Sequence, residues 1–512
     1  MIGGNDAPFN LDPHKRLQTP QLAAGDASII GRRFDVLKIL SMKIAYLHYH
    51  LKTGGVTTVI RQQAEAIRTE ADVLVLAGEP PQAPFPADCV TISGLGYDRP
   101  NGETRQDEVD KIADEILTVL RSRWGKGTGL VHIHNPTLAK NSRILKVIKQ
   151  LQKNNIRLLL QIHDFAEDGR STAYSAEAYP ENCHYAVINS RDYRILRKAG
   201  LAAGGLHRLP NMIDDLFFKK TDIPAISHVL YPVRAIRRKN IGEAILLSLF
   251  FPDDVPLCIT LPPNSPGDLL IYEDWKAFVR QKLLNVEFDA GLKNEFEDLV
   301  RSAAYFLTTS ITEGFGFSFL EPWLAGKLLW GRKLNEVCRD FERNRVNLSH
   351  LYQRLQTPLD WINRDHLLDR LKTAVELNCR RFDLSIKQSD ADLTFMQSFK
   401  NDRIDFGRMD EFFQKKIISR LISSETARNQ LKTINPWLKH PARVKDKAAL
   451  ITGNKQAVHE HYNKHVYRRR LLDIYQKVLI APVKQAIDKQ VLLAEFFDLK
   501  SFSLLKWGGD GE

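Results

Sequence analysis

The chain has 512 residues, 43% hydrophobic and 26% charged, with a net charge of +12. That length accommodates two or three domains with separate cores, and no apolar run is long enough to cross a bilayer as a helix. The five cysteines are scattered and lack any Cys-x-x-Cys pairing, which argues against a disulfide framework and a zinc site and fits the reducing cytoplasm.

The first 41 residues are rich in Gly, Pro, Asp and Ala, lack periodicity and contain no signal-peptide core. They read as a tail detached from the fold, or as the product of a mis-assigned start, with Met42 directly preceding the first strand. From there short apolar runs alternate with longer stretches of helical spacing. Strands are predicted at Lys43–Tyr49, Asp72–Ala77, Leu130–His134, Arg157–His163, Tyr185–Asn189 and Leu206–Pro210. Helices are predicted between them at Val56–Arg68, Glu108–Arg123, Lys140–Lys153 and Arg191–Ala199. This alternation, with strands apolar on both faces, predicts a parallel doubly wound α/β sheet over residues 42–215. A turn-prone linker near Asp214–Ser227 follows. The alternation then restarts over residues 226–345 with strands at His228–Val233, Leu257–Leu261, Tyr305–Thr309 and Leu328–Trp330. Helices are expected at Ile241–Phe250, Leu269–Leu283, Leu292–Ala303 and Phe317–Ala325. Residues 346–512 read as a mostly helical extension. Two doubly wound units place ligands in the cleft between them, at the carboxyl ends of their strands.

Five short stretches fall at such strand ends. In Lys52-Thr53-Gly54-Gly55-Val56, glycines let backbone approach a ligand above a helix N-terminus; a plain tight βα turn would look the same. His163-Asp164 ends the fourth strand, and a lone strand-end histidine also occurs as a packed residue. His132 and His134 share one strand face without a recognisable third metal ligand, so they line the cleft or pack, while Asn135 opens the next loop. Pro210-Asn211-Met212-Ile213-Asp214 closes the first unit, its Met212 unsuited to a positive-φ turn. Arg234-Ala235-Ile236-Arg237-Arg238-Lys239 follows the first strand of the second unit, where cations could meet a leaving diphosphate. There Arg237 and Arg238 are expected to face solvent.

The most informative stretch is Thr308–Glu321. A strand ends in small hydroxyl residues, then come Glu313, the loop Gly314-Phe315-Gly316, and an apolar helical run carrying Glu321. Free backbone N–H groups and a helix start would meet there and favour phosphate. The two carboxylates offer acceptors to sugar hydroxyls, although two glutamates eight apart also arise by chance. No Gly-x-Gly-x-x-Gly or Walker-type Gly-Lys-Ser/Thr is present, which weighs against dehydrogenases and P-loop enzymes.

Together these stretches resemble the retaining GT-B-fold glycosyltransferases with a Glu-x7-Glu signature, the family that includes glycogen and sucrose-phosphate synthases. Pro322 replaces the alanine usual after the second glutamate, and proline is tolerated in a first helical turn. Pro232-Val233 and Asn240 replace the residues that usually flank the Arg-x4-Lys pair. Met212 stands where the family carries glycine, and Tyr467–Tyr475 resembles the terminal helix that crosses back to the first domain. The resemblance implies two Rossmann-like domains facing a central cleft and transfer of a hexosyl group, with retention, from a nucleotide diphosphate sugar. It assigns catalytic roles to Arg234, Lys239, Glu313 and His163, and donor binding to Gly55, Gly314, Phe315, Gly316 and Glu321. Gly54, Asn135 and Asp164 fall on the acceptor side. No metal or obligatory cofactor is implied, and the acceptor is unspecified: a small polar or phosphorylated molecule, a glycan or a lipid headgroup.

The basic excess favours anionic partners. Without interleaved aromatics or a binding module it does not read as nucleic-acid binding. Peripheral contact with the acidic cytoplasmic membrane face and an oligomer both stay open. Two rival functions share this architecture: a catalytically silent scaffold and a nucleotide-sugar epimerase.

Overall fold

A computed structural model describes residues 42–98, 105–125, 127, 129–214, 227–385, 387, 394–397 and 399–508. The N-terminal 41 residues and most of the expected linker, 215–226, lie outside them. The first sheet has seven parallel strands: β1 (Met42–His48), β2 (Ala71–Ala77), β3 (Asp88–Thr91), β4 (Leu130–His134), β5 (Arg157–Ile162), β6 (His184–Val187) and β7 (Leu206–Arg208), in the order β3-β2-β1-β4-β5-β6-β7. Its centre is buried on both faces and apolar but for His132 and His134, with Ile44 to Leu47 and Leu130 to Ile133 all buried, because helices cover it on both sides. The strand order reverses between β1 and β4, so the crevice opens beyond their carboxyl ends.

A second parallel sheet repeats the plan with β8 (His228–Arg234), β9 (Leu257–Leu261), β10 (Val286–Glu287), β11 (Ala303–Thr308) and β12 (Leu329–Gly331), in the order β10-β9-β8-β11-β12. Its reversal lies between β8 and β11. Pairing of β8 with β9 shifts register between Tyr231 and Arg234. Pro232 lies in that interval and has no N–H to give the ladder.

The sequence expectations differ from the structure in instructive places. The edge strands β3 and β10 fall outside those expectations, being four and two residues long and only partly apolar. The helix expected over Leu292–Ala303 divides into Ala290–Lys293 and Phe296–Ser302, separated at Asn294, which adopts an extended conformation. The helix expected over Phe317–Ala325 is a 3₁₀ turn, Phe317–Phe319, followed by the short helix Glu321–Leu324. So short a helix contributes little dipole at the preceding loop.

Beyond residue 345 the chain is mostly helical, with one small antiparallel pair among the described residues, β13 (Gln356–Pro358) and β14 (Arg403–Asp405). Three-residue strands so far apart in the chain leave no periodic signal. Helix Lys464–Ile480 starts at an Asn463 N-cap and packs on the first sheet, where the Tyr475 hydroxyl donates to Tyr46 and bonds His132. The last segment then ties both sheets together. Gln485 bonds Cys183 and Gly205, Lys506 pairs with Asp168, and Arg408 donates to the Phe502 carbonyl at 2.9 Å.

Candidate active site

The loops after β8 and β11 meet. Lys239 forms an ion pair with Glu313, both side chains largely buried. The turn that carries Lys239 is fixed by three contacts. The Tyr231 hydroxyl donates to the Lys239 carbonyl at 2.6 Å, the Thr309 hydroxyl donates to it at 3.1 Å, and Ile311 N–H donates to the Arg238 carbonyl at 3.0 Å. Asn240, in the left-handed region at φ 52°, ends this turn and donates to Glu243 and the Thr309 carbonyl. Beneath it, Arg332 bridges Glu243 and Asp405 through four hydrogen bonds, and Tyr352 donates to Glu243. A buried guanidinium satisfied on this scale makes a rigid floor. Burial alone would raise the Glu313 pKa, but Lys239 and Arg238 prevail and hold it below the ordinary carboxylate value.

Above the ion pair, the backbone N–H groups of Gly314, Phe315 and Gly316 find no acceptor among the described residues. Gly316 has φ +90°, a conformation that favours glycine, and a Cβ there would lie 2.8 Å from Val337 Cγ1. The Phe315 ring is buried against Phe341 and Tyr462, so of this residue only the backbone is left for a ligand. Glu321 stands at the start of the short helix, its carboxyl group without a hydrogen-bond or ion-pair partner among the described residues. Burial pushes its pKa up to about 7, against the pull of Lys239 and with a push from Asp214.

The facing wall comes from the first sheet. Asn135, at φ 52°, receives the N–H groups of His163 at 2.7 Å and Asp164 at 3.1 Å on its side-chain oxygen. Asn135 therefore braces the turn that carries the other two. His163 is stacked on His134, with Nε2 and His134 Nδ1 2.9 Å apart. Burial lowers its pKa to about 4, Asp164 opposing, so the ring is neutral near pH 7. Asp164 pairs with Arg170 at 2.7 Å and faces Arg238 at 3.6 Å. His163, Asp164, Arg170, Arg191, Arg238 and Glu313 line one cleft together with Gly314. The walls touch at Gly314, whose carbonyl accepts from Asn189 at 2.9 Å and whose added Cβ would lie 3.0 Å from the His163 carbonyl oxygen.

The structure thus gathers Lys239, Glu313, the Gly314–Gly316 loop, His163 and Asp164. Arg234 is not tied to them by a hydrogen bond or ion pair: one terminal nitrogen donates to the Pro262 carbonyl at 3.0 Å and to Asn264 at 2.5 Å, and its other donors are unengaged among the described residues. Gly54 and Gly55 sit exposed at the start of helix Gly55–Ile67, and no hydrogen bond or ion pair ties them to Lys239 or Glu313. Arg237 and Arg238 do not face solvent: Arg237 forks onto Glu411 at 2.8 and 2.9 Å, and Arg238 enters the cleft. Sequence reasoning missed Arg238, Arg170 and Arg191, and only the first lay within a motif. His132 and His134 pack inside the sheet, stacked at 4.5 Å. Met212 lacks a positive φ. Among the described residues no group of three or more His, Cys, Asp or Glu could hold a metal ion, and no helix is long and apolar enough to cross a membrane.

No family model matches the chain. Among solved structures it resembles sucrose-phosphate synthase from Thermosynechococcus elongatus, with a TM-score of 0.50 and 14% identity, covering 86% of this chain and 100% of the other. It also resembles TarM, with a TM-score of 0.51 and 10% identity, over 86% and 99% of the two chains. The chain has the GT-B fold of the glycosyltransferases. A third GT-B neighbour, Anabaena HepE in complex with UDP and glucose, has a TM-score of 0.50 at 13% identity, over 85% and 99% of the two chains. In sequence the GT-B chain is 26% identical over 483 residues to mannosylglucosyl-3-phosphoglycerate synthase of Petrotoga mobilis, covering 84% of this chain and 90% of the relative.

Proposed function

We propose that this protein is a retaining glycosyltransferase that moves a hexosyl group from a nucleotide diphosphate sugar to an anionic, phosphorylated or carboxylated acceptor. The observation that carries the reading is the Lys239–Glu313 ion pair beneath three unengaged loop amides, facing His163 across the cleft. As the glycosidic bond breaks, negative charge grows on the diphosphate. Lys239, the loop amides of Gly314–Gly316 and the remaining donors of Arg234 stabilise it from fixed positions. Glu321 accepts from the ribose diol and Glu313 from a sugar hydroxyl. His163, neutral and held through Nε2, offers Nδ1 to the sugar. Asp164, with the loops at Gly54 and Asn135, bounds the acceptor side. Retention follows from attack on the same face that the diphosphate leaves, with no protein nucleophile and no cofactor invoked. The Petrotoga relative, by its name a phosphoglycerate glycoside synthase, supports an anionic acceptor, as does the net charge of +12. The UDP and glucose in the HepE complex support the donor class.

The test is nucleoside diphosphate release from UDP-, GDP- and ADP-hexoses, with and without phosphoglycerate-type acceptors, followed by NMR of the new anomeric centre. One donor series is expected to release its diphosphate in an acceptor-dependent manner and to give the donor's anomeric configuration. Inversion would refute retention. An epimerised sugar formed without acceptor, or no turnover with any series, would refute the reading as a whole.

A further inference from the structure

We propose that Arg238 is a docking cation for a substrate oxyanion, a phosphate or carboxylate group held between the Asp164 and Glu313 walls of the cleft. This rests on the donor-site reading above and adds to it a residue outside the Arg234/Lys239 pair. A guanidinium carries five N–H donors in a fixed fork, and buried donors are nearly always satisfied. Arg238 breaks that rule. Its Nε is buried without a partner among the described residues, and its ion contact to Asp164 Oδ1 is 3.6 Å long.

Both flanking carboxylates already have nearer cations. The same Asp164 oxygen receives Arg170 at 2.7 Å, and Glu313 is held by Lys239. The neighbouring arginines are spent: Arg191 forks onto Asp168 at 2.9 and 3.0 Å, and Arg237 onto Glu411. Among the described residues of the cleft, Arg238 is therefore the cation left over, with its side chain only 28% exposed. Its placement is not accidental, because its carbonyl is pinned by Ile311 N–H at 3.0 Å. The N–H groups of Gly314, Phe315 and Gly316 are equally unengaged, and the loop that carries them adjoins the same cleft. Asp168, forked by Arg191, and Asp192 also line it and offer an oxyanion no donor. The oxyanion is thereby confined to the side nearest Lys239 and the loop amides, where a guanidinium grips a tetrahedral phosphate through two parallel bonds.

The oxyanion belongs either to the donor diphosphate or to the acceptor, and calorimetric titration separates the two. Full-length wild type, Arg238→Gln, Arg238→Lys and the exposed charge control Arg380→Gln are titrated with UDP, GDP, ADP, pyrophosphate and 3-phosphoglycerate. Loss of a charge-assisted fork is expected to weaken binding about tenfold or more. A loss confined to UDP, GDP, ADP or pyrophosphate assigns Arg238 to the donor, and one confined to 3-phosphoglycerate assigns it to the acceptor. Arg238→Lys recovers part of the affinity, since it restores the charge but not the fork. The ligand-free melting temperature of Arg238→Gln is expected to fall at most slightly, because Asp164 and Glu313 keep their nearer cations, Arg170 and Lys239. Equal binding by wild type and Arg238→Gln would overturn the assignment alone, as would a marked fall in ligand-free melting temperature. Failure of wild type to bind any probe would overturn the donor-site reading together with it.

Discussion

Glu321→Gln should make the folded protein more stable at alkaline pH while weakening nucleotide-sugar binding. Burial raises the Glu321 pKa to about 7, with Lys239 opposing and Asp214 adding to the rise, against about 4.3 for a glutamate in the unfolded chain. Between those values the folded state keeps a proton that the unfolded state has released, so stability falls as pH rises through the window. Above it the deficit is complete and amounts to roughly 3 to 4 kcal/mol. The neutral glutamine never incurs it. The melting temperature of Glu321→Gln should exceed that of wild type at pH 8, and the gap should close by about pH 4. Binding runs the other way, because the ionised carboxylate is the better acceptor for a ribose diol. At pH 6 about a tenth of Glu321 is ionised, so wild-type affinity should be about tenfold below its alkaline plateau. Differential scanning calorimetry across about pH 4 to 8.5, with titration of the best-binding nucleotide sugar, reads both effects. A diester diphosphate is the right probe because it does not itself titrate in this range. If Glu321→Gln is less stable than wild type at pH 8, or keeps both full affinity and its pH dependence, the reasoning is refuted.

Lys239→Met removes the partner of a largely buried carboxylate, which typically costs about 3 kcal/mol or more, reduced where the stranded Glu313 takes up a proton. Turnover is expected to fall by about two to three orders of magnitude, the usual loss when one charge-stabilising donor is removed, and unchanged turnover in single-turnover kinetics would exclude Lys239 from the reaction. Asn135→Ala leaves the His163 and Asp164 N–H groups without their acceptor. It also places alanine at φ 52°, for a combined cost of about 3 to 5 kcal/mol. A urea-midpoint shift of that size, with turnover lost in proportion to the misplacement of His163, is the expected result.

The two-sheet α/β plan was legible in the sequence because every central strand is a short apolar run followed by a helical period, and both signals are local. The Glu313–Glu321 loop was legible for a similar reason: Gly316 marks a backbone conformation that other residues rarely adopt. Half-apolar edge strands such as Val286–Glu287 leave no comparable pattern, since their place depends on a neighbour's hydrogen-bonding edge. The short Phe317–Leu324 stretch reads as one helix in the sequence because its apolar residues face a core supplied by Phe341 and Tyr462, far along the chain. Which arginine enters the cleft was equally out of reach. Arg237 and Arg238 are adjacent and chemically identical, and a distant carboxylate, Glu411, captures one and leaves the other beside Asp164. The sequence by itself determined the fold class, the strand ends and the residue types gathered there. Only the tertiary structure decided which side chains are satisfied by the protein and which remain for a ligand, because hydrogen-bond satisfaction is settled by partners far away along the chain.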